Sequence, residues 1–250
     1  MPSGGWRPRD CHAHSTWSDG ELTPAEVVAR AAVLGVLPSI TDHVSCAVAT
    51  GPRTLGAFAR YLDDIESLPV ARGAEFCWHD GLWRELPPSF VRRLTHRIGS
   101  IHAIHLPDGT LVHAFQPELP KGLTPDAYMA AHIVELERFA ASMPVDILAH
   151  PTLLPIPYRR LPLEELWTEE YEERAVEALH RAGIAFEVSV RYRPHERFVR
   201  RAVERGVRIS LGSDGHGADH VANVFPSLAL TRRLGVRDED LYDPMVHGAR

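Results

Sequence analysis

Cysteine is scarce in this chain, with three in 250 residues. Cys11, Cys46 and Cys77 are odd in number and show neither zinc-finger nor CxxC spacing, which argues against a disulfide framework and for a reducing cytosol. Positive charge is also short. The 27 Lys and Arg stand against 33 Asp and Glu, a formal charge of −6, and no basic stripe is visible, so general binding to nucleic acid or to an anionic membrane is not expected. No stretch approaches the roughly 18 apolar residues of a membrane span. The opening MPSGGWRPRD lacks the cationic-then-apolar order of a signal peptide. Internal repeats and low-complexity segments are missing as well. The expectation is a soluble, cytoplasmic protein. With 44% hydrophobic and 24% charged residues, the chain has the material for one large domain. That domain is taken as 1–250, with 1–8 as a flexible N-terminus and 235–250 as a peripheral tail.

Histidine, by contrast, is plentiful: 15 residues, against five tryptophans, six tyrosines or eight phenylalanines. It is the commonest metal ligand and the usual acid or base near neutral pH, so its placement matters. The chain alternates short apolar runs with helix-like segments. Arg9–His14 reads as a first strand. Thr23-Pro24-Ala25-Glu26 then opens a helix with an N-cap, a proline at the first helical position and a capping box, and Gly35 stops it. Val36–Thr41 predicts strand two, Thr54–Leu68 a helix, Val70–Phe76 strand three and Ile98–Ile104 strand four. A long helix spans Thr124–Met143, followed by strand five at Val145–Ala149. Glu169–Ala182 and His195–Glu204 are helices around strand six, Ile184–Val190. Val207–Leu211 is strand seven, and Ala218–Leu234 a last helix. Such β-then-α units make either a doubly wound sheet or a barrel. Polar residues follow nearly every strand, as expected of a barrel whose functional groups gather at strand carboxyl ends and not of a sheet with one switch-point crevice.

Alternation along a strand turns Asp10, His12 and His14 one way and Cys11 and Ala13 the other. Ser18-Asp19-Gly20 places a carboxylate in the following loop. Strand two ends in Thr41-Asp42-His43, strand three in Gly73-Ala74-Glu75, and strand four carries Gly99-Ser100-Ile101-His102. Strand five ends in Ala149-His150-Pro151 and strand seven in Gly212-Ser213-Asp214-Gly215-His216. Imidazole and carboxylate at the same end of six strands form a ligand set suited to zinc, manganese or iron. Cys77 shares the parity of Glu75 but reads as a small buried hydrophobe. Asp10 and Asp42 flank ligand histidines and are expected to orient the imidazoles. Trp17, Trp78 and Trp83 are candidate walls.

Taken in order, DCHAHSTWSDG, SITDH, GAEF, GSIHAIH, DILAHP and LGSDGH resemble the successive motifs of the PHP (polymerase and histidinol phosphatase) superfamily, from Asp10 to His216. The resemblance implies a distorted (β/α)7 TIM-like barrel carrying two or three divalent ions. It implies a first metal on His12, His14, Glu75 and Asp214. Glu75 would bridge to a second on His102 and His150, and Asp19, His43 and His216 would hold a third. Within the superfamily the chain looks most similar to stand-alone histidinol-phosphatase-like phosphoesterases.

That branch predicts hydrolysis of a small phosphate monoester by in-line attack of a metal-bridging hydroxide, with Asp214, His102 and His216 as candidates for the chemical step. Arg191 and Arg193 follow strand six and are candidates to grip the phosphate; Arg53 and Arg84 are weaker ones. Glu187, inside strand six, is a candidate for a substrate amine or hydroxyl. The proton donor to the leaving alcohol is open between His105 and His79. EVSVRYRPHE departs from the Glu-x-Asn-x-Gly flavour of histidinol phosphatases, which leaves the ester unspecified. The rivals are a 3′-5′ exonuclease or nucleotide phosphodiesterase, an amide or ester hydrolase on the same centre, and a non-catalytic metal-binding protein.

Overall fold

Small polar side chains set the helix boundaries. In α1 (Pro24–Leu34) the Thr23 hydroxyl accepts from the Glu26 amide, and the Glu26 carboxylate accepts from the Thr23 amide. Gly35 ends the helix at φ 69°, a left-handed conformation that costs glycine nothing. The computed structural model of the protein describes residues 6–48 and 50–248, so most of the expected flexible segment 1–8 and the end of the expected tail lie outside the described residues.

After α1 come β1 (Ser39–Ile40), α2 (Leu55–Ile65), β2 (Ala71–Arg72), β3 (Glu75–Cys77), α3 (Pro88–Val91), β4 (Ile98–Ser100), β5 (Ala103–His105) and β6 (Leu111–His113). The second half holds α4 (Pro125–Ser142), β7 (Ile147–Leu148), α5 (Leu163–Leu166), α6 (Glu169–Ala182), β8 (Ala185–Ser189), α7 (Glu196–Glu204), β9 (Ile209–Gly212), α8 (Phe225–Arg233) and α9 (Pro244–His247). Thr54, Thr124 and Thr168 cap α2, α4 and α6 with their hydroxyls, as Thr23 caps α1.

The regular ladder is a five-stranded parallel sheet in the order β3-β4-β7-β8-β9, with β1-β2 as a separate parallel pair. All five strands are buried throughout, as parallel strands covered by helices must be. The expected first strand at 9–14 is not a regular strand. It makes isolated parallel bridges, Arg9 with Leu37 and Ala13 with Gly215. Its amides and carbonyls nonetheless bond on both sides: Asp10 N to Leu37 O (3.0 Å) and Thr41 N to Ala13 O (2.9 Å) on one, Cys11 N to Leu211 O (2.8 Å) and Asp214 N to His12 O (2.9 Å) on the other. His43 bridges to Glu75. This is an α/β fold built on a mostly parallel sheet.

Three expectations need revision. Strand four is shorter than Ile98–Ile104, because the chain turns after Ser100 and builds an antiparallel hairpin from β5 and β6, folding over the carboxyl end of β4. The last helix begins at Phe225 and not at Ala218; 218–222 is turn, with Ala222 at φ 63°. The segment after 235 packs beneath the sheet, where Leu241 bridges to Ile209, the Tyr242 amide bonds to Ile209 O at 2.8 Å, and Tyr242 is buried.

Helix α6 packs on α4 and α7. Trp167, just before it, lies 4.7 Å from Phe198 of α7, ring to ring, with both fully buried. Burying each such ring is worth about 2–3 kcal/mol. Glu172 is buried in the same layer, bound by the guanidinium groups of Arg197 (2.9 Å) and Arg201 (3.2 Å), the pairing a buried carboxylate requires.

Candidate metal centre

The carboxyl ends of the parallel segments converge. His12, His14, Glu75, His102, His150 and Asp214 are all buried, His43 nearly so, and Asp19 and His216 lie toward solvent. His12 Nε2 is 3.2 Å from His14 Nε2 and 3.4 Å from Glu75 Oε2; His14 Nε2 is 3.4 Å from Asp214 Oδ1. Across Glu75, Oε1 lies 3.4 Å from His102 Nε2 and 3.1 Å from His150 Nε2. Asp19 lies 3.7 Å from His43 and 3.2 Å from His216.

The far nitrogens of His12, His14 and His102 are occupied, which decides what the near ones offer. His12 Nδ1 bonds Glu187 Oε1 at 2.8 Å, an acceptor, so its proton sits on Nδ1 and Nε2 presents a lone pair. Ser18 donates to Asp42 Oδ1 at 2.6 Å, so its hydroxyl oxygen accepts from His14 Nδ1 at 3.3 Å, and His14 Nε2 is likewise bare. Two lone pairs 3.2 Å apart repel unless a cation or a proton lies between them. His43 Nδ1 and Glu75 Oε2 are 2.7 Å apart, yet both are buried without an aligned hydrogen bond. Neighbouring ligands of a tetrahedral zinc ion stand about 3.4 Å apart, close to the separations found here. The donor set and its spacing therefore fit divalent cations. Three sets of donors have mutually close atoms: His14, Asp19, His43 and His216; His12, His14 and Asp214; His43, Glu75 and His102.

The electrostatics point the same way. Burial opposes ionisation of Glu75, but His43 and His12 beside it hold its carboxyl well below the usual range. Asp214 is likewise held low, burial being outweighed by its close contact with His14 and by His12. In return His43 is raised to about 9: burial lowers it, and Glu75 and Asp19 more than offset that. His12 is raised well above its ordinary value, with Glu187 and Glu75 overcoming burial. Burial, reinforced by His43, pushes His14 down to about 3. Without cations, the cluster balances its carboxylates by protonating His12 and His43.

Backbone strain is concentrated at two of these residues. Among non-glycine residues described, positive φ occurs at His150 (29°), Asp214 (49°) and Ala222 (63°), and strained dihedrals of this kind persist where a site requires them.

Several expected roles change. Glu187 is fully buried and faces no substrate: Oε1 takes His12 Nδ1 and Oε2 takes the His150 amide at 2.5 Å. It orients imidazoles, the task expected of Asp10 and Asp42. Those two hold backbone and hydroxyls instead. Asp10, pushed up to about 6 by burial, accepts from Ser213 N and Oγ and from the amides of His12 and Ala222. Asp42 accepts from Ser15 N and Oγ and from Ser18, reaching His14 only through that hydroxyl. Cys77 does more than pack, since its Sγ lies 3.1 Å from His102 Nδ1 and so turns His102 Nε2 inward.

At the mouth, a cavity of about 380 Å³ is lined by the outer donors together with Phe115, Tyr192, His113 and Arg191. Arg191 donates to His216 Nδ1 at 2.9 Å. Arg193 is exposed and lines neither this cavity nor its neighbour, because the turn after β8 points it outward. Trp17 binds Asp64, and Trp78 and Trp83 stack on each other away from the mouth with Arg84 over Trp83. Arg53 is tied to the Cys46 carbonyl. His105 is exposed on the hairpin, and His79 packs edge-on against His113. Sequence reasoning missed Phe115, His113 and Tyr192, since only the β5-β6 hairpin and the turn after β8 carry them to the rim.

Fold and site together define an α/β protein with a histidine–carboxylate cluster, fit for several cations, at the carboxyl ends of its parallel strands. The sequence matches no family model and no curated protein. Among solved structures, the fold is similar to histidinol phosphate phosphatase from Lactococcus lactis subsp. lactis Il1403, determined with zinc, L-histidinol and phosphate. The TM-score is 0.69 at 16% identity, over 92% of this chain and 95% of that one. A two-domain protein from Bacteroides vulgatus ATCC 8482, containing a predicted PHP-like metal-dependent phosphoesterase, aligns at TM-score 0.41 and 15% identity over 88% of this chain and 55% of that one. At this identity the first of these shows a shared fold alone. No helix among the described residues is long and apolar enough to cross a membrane.

Proposed function

We propose that this protein is a PHP-type, metal-dependent phosphomonoesterase, its seven-segment circuit forming one distorted (β/α)7 barrel domain. The observation that carries the reading is the set of bare nitrogen and oxygen donors at 2.7–3.7 Å, with the far nitrogens of His12, His14 and His102 engaged from behind. His12, His14, Glu75 and Asp214 would hold one ion; Glu75, His102 and His150 a second; Asp19, His43 and His216 a third. Zinc, manganese and iron all suit this mixed N/O set. Bound there, such ions supply Lewis acidity and lower the pKa of water.

The protein's own groups then divide the work. Arg191, whose guanidinium lines the mouth beside His216, takes a non-bridging phosphoryl oxygen. Asp214, kept ionised, accepts a hydrogen bond from the attacking water and orients it. His102 and His216 both line the cavity that would take the phosphoryl group. The 380 Å³ volume suits a small ester, which favours a monoester over an oligonucleotide.

The test is phosphate release from a panel of small monoesters, histidinol phosphate among them, by metal-reconstituted protein beside Asp214→Asn. Release that disappears in the variant supports the assignment. No release from any ester, with metal content verified, overturns it and turns the search to oligonucleotides and then to amides.

A further inference from the structure

The outer wall of the cavity carries a preference of its own. Resting on the phosphomonoesterase reading above, we infer that the leaving alcohol bears a flat, uncharged group, and that a cationic amino alcohol is disfavoured. Apart from the donors of the cluster, the cavity is lined by Ala47, Val48, His113, Phe115, Arg191 and Tyr192. None of these is a carboxylate, and one is a permanent cation. Phe115 keeps 42% of its surface exposed, although it stands at a site edge, where an aromatic ring left open to solvent is free to stack on a ligand.

The rings are already arranged around the ester position. Phe115 meets the His102 ring edge-on with centroids 5.6 Å apart, and Tyr192 meets His150 in the same way at 5.6 Å. His113 lies 5.7 Å from Phe115 on the hairpin side. The Arg159 guanidinium stacks 5.1 Å from Phe115 and 5.3 Å from Tyr192 and is anchored by the carbonyls of Leu154 (2.8 Å) and Ala114 (3.0 Å). It packs against both rings and adds a second fixed positive charge beside them. An alkylammonium leaving group would meet the Arg191 guanidinium in the cavity, that of Arg159 against its aromatic rings, and no carboxylate outside the donor cluster.

The carboxylates of Glu21 and Asp219 line a neighbouring cavity of about 610 Å³, but Arg191 lines both cavities. A cation reaching for them would pass that side chain. A planar neutral group instead stacks on the exposed surface of Phe115 where it lines the cavity.

The test uses the metal-loaded full chain with benzyl phosphate and with O-phosphoethanolamine, plus calorimetric titration of benzylphosphonate against 2-aminoethylphosphonate. The benzyl ester should be favoured by about tenfold or more in kcat/KM, and the phosphonates should bind in the same order. Phe115→Ala should shrink both ratios to within about threefold, mainly by raising KM for the benzyl ester. Equal or better handling of the aminoethyl compounds, or a preference that Phe115→Ala leaves intact, overturns the inference while leaving the phosphomonoesterase reading standing. Hydrolysis of neither ester, with neither phosphonate bound, overturns this inference, whereas the phosphomonoesterase reading falls only if the whole monoester panel gives no release.

Discussion

The carboxylate of Glu187 and the imidazole of His12 form the pivot of the centre: Oε1 accepts from Nδ1 at 2.8 Å with both side chains fully buried. The second oxygen accepts from the amide of His150, whose φ of 29° is strained. One side chain on β8 thus fixes a ring on the first segment and the backbone after β7. Gly212, on β9, makes room for it, since a Cβ there would collide with Oε1.

From this arrangement we expect Glu187→Gln to weaken metal retention by about 10- to 100-fold. The amide keeps the volume but offers only one acceptor oxygen for two donors. Chelator competition followed by metal analysis checks this, with circular dichroism as the control for folding. Gly212→Ala should give the same loss by displacing the carboxylate. Unaltered retention in both variants would remove Glu187 from the centre.

Asp19 is the most exposed donor, at 38% of its side chain, and lies between His43 and His216. Asp19→Ala should therefore lower metal content by about one ion per chain while the inner donors keep theirs. Quantitative elemental analysis after dialysis reads this directly; a complete loss of metal would show that the outer donors are not an independent site.

Cation binding should release protons. His43 is raised to about 9 and His12 well above its ordinary value, so at pH 7.5 the metal-free cluster holds protons on imidazoles that must be neutral to ligate. Loading zinc at this pH should expel about one to two protons per chain. Apparent affinity should then climb as pH rises toward 9. Titration calorimetry in buffers of different ionisation enthalpy measures the proton count, and a value of zero would contradict the assigned electrostatics.

Acid stability has a separate source far from the centre. His132 on α4 is buried, its Nε2 has no hydrogen-bond partner, and burial lowers it from 6.5 to about 4. Between those values the unfolded chain takes up a proton that the folded one refuses. Stability is therefore complete above pH 6.5 and falls as the pH drops toward 4, by about 3 kcal/mol in all. His132→Leu should lose this component. Urea unfolding of both proteins at pH 7.5 and pH 4.5 isolates it as a difference of differences; identical pH dependence would show that His132 titrates normally.

The donors and the helix ends were legible from the chain alone for a local reason. Period-two alternation places His12 and His14 on one face whatever surrounds them, and a Thr-Pro pair begins α1 and α4 through contacts within one turn. The order of polar strand ends likewise announced a shared rim. Roles that depend on distant partners were not legible. Asp10 and Asp42 stand beside ligand histidines in sequence but bind Ser213, Ser15 and Ser18, whereas Glu187 reaches His12 across 175 residues. Nothing in RYR separates Arg191, which reaches the mouth, from Arg193, which does not, until the turn after β8 is built. The tertiary structure alone decided which carboxylate backs which imidazole and which rings line the entrance. Hydrogen bonds and ring contacts act over a few ångströms of space, and only the packed fold determines which residues come within that range.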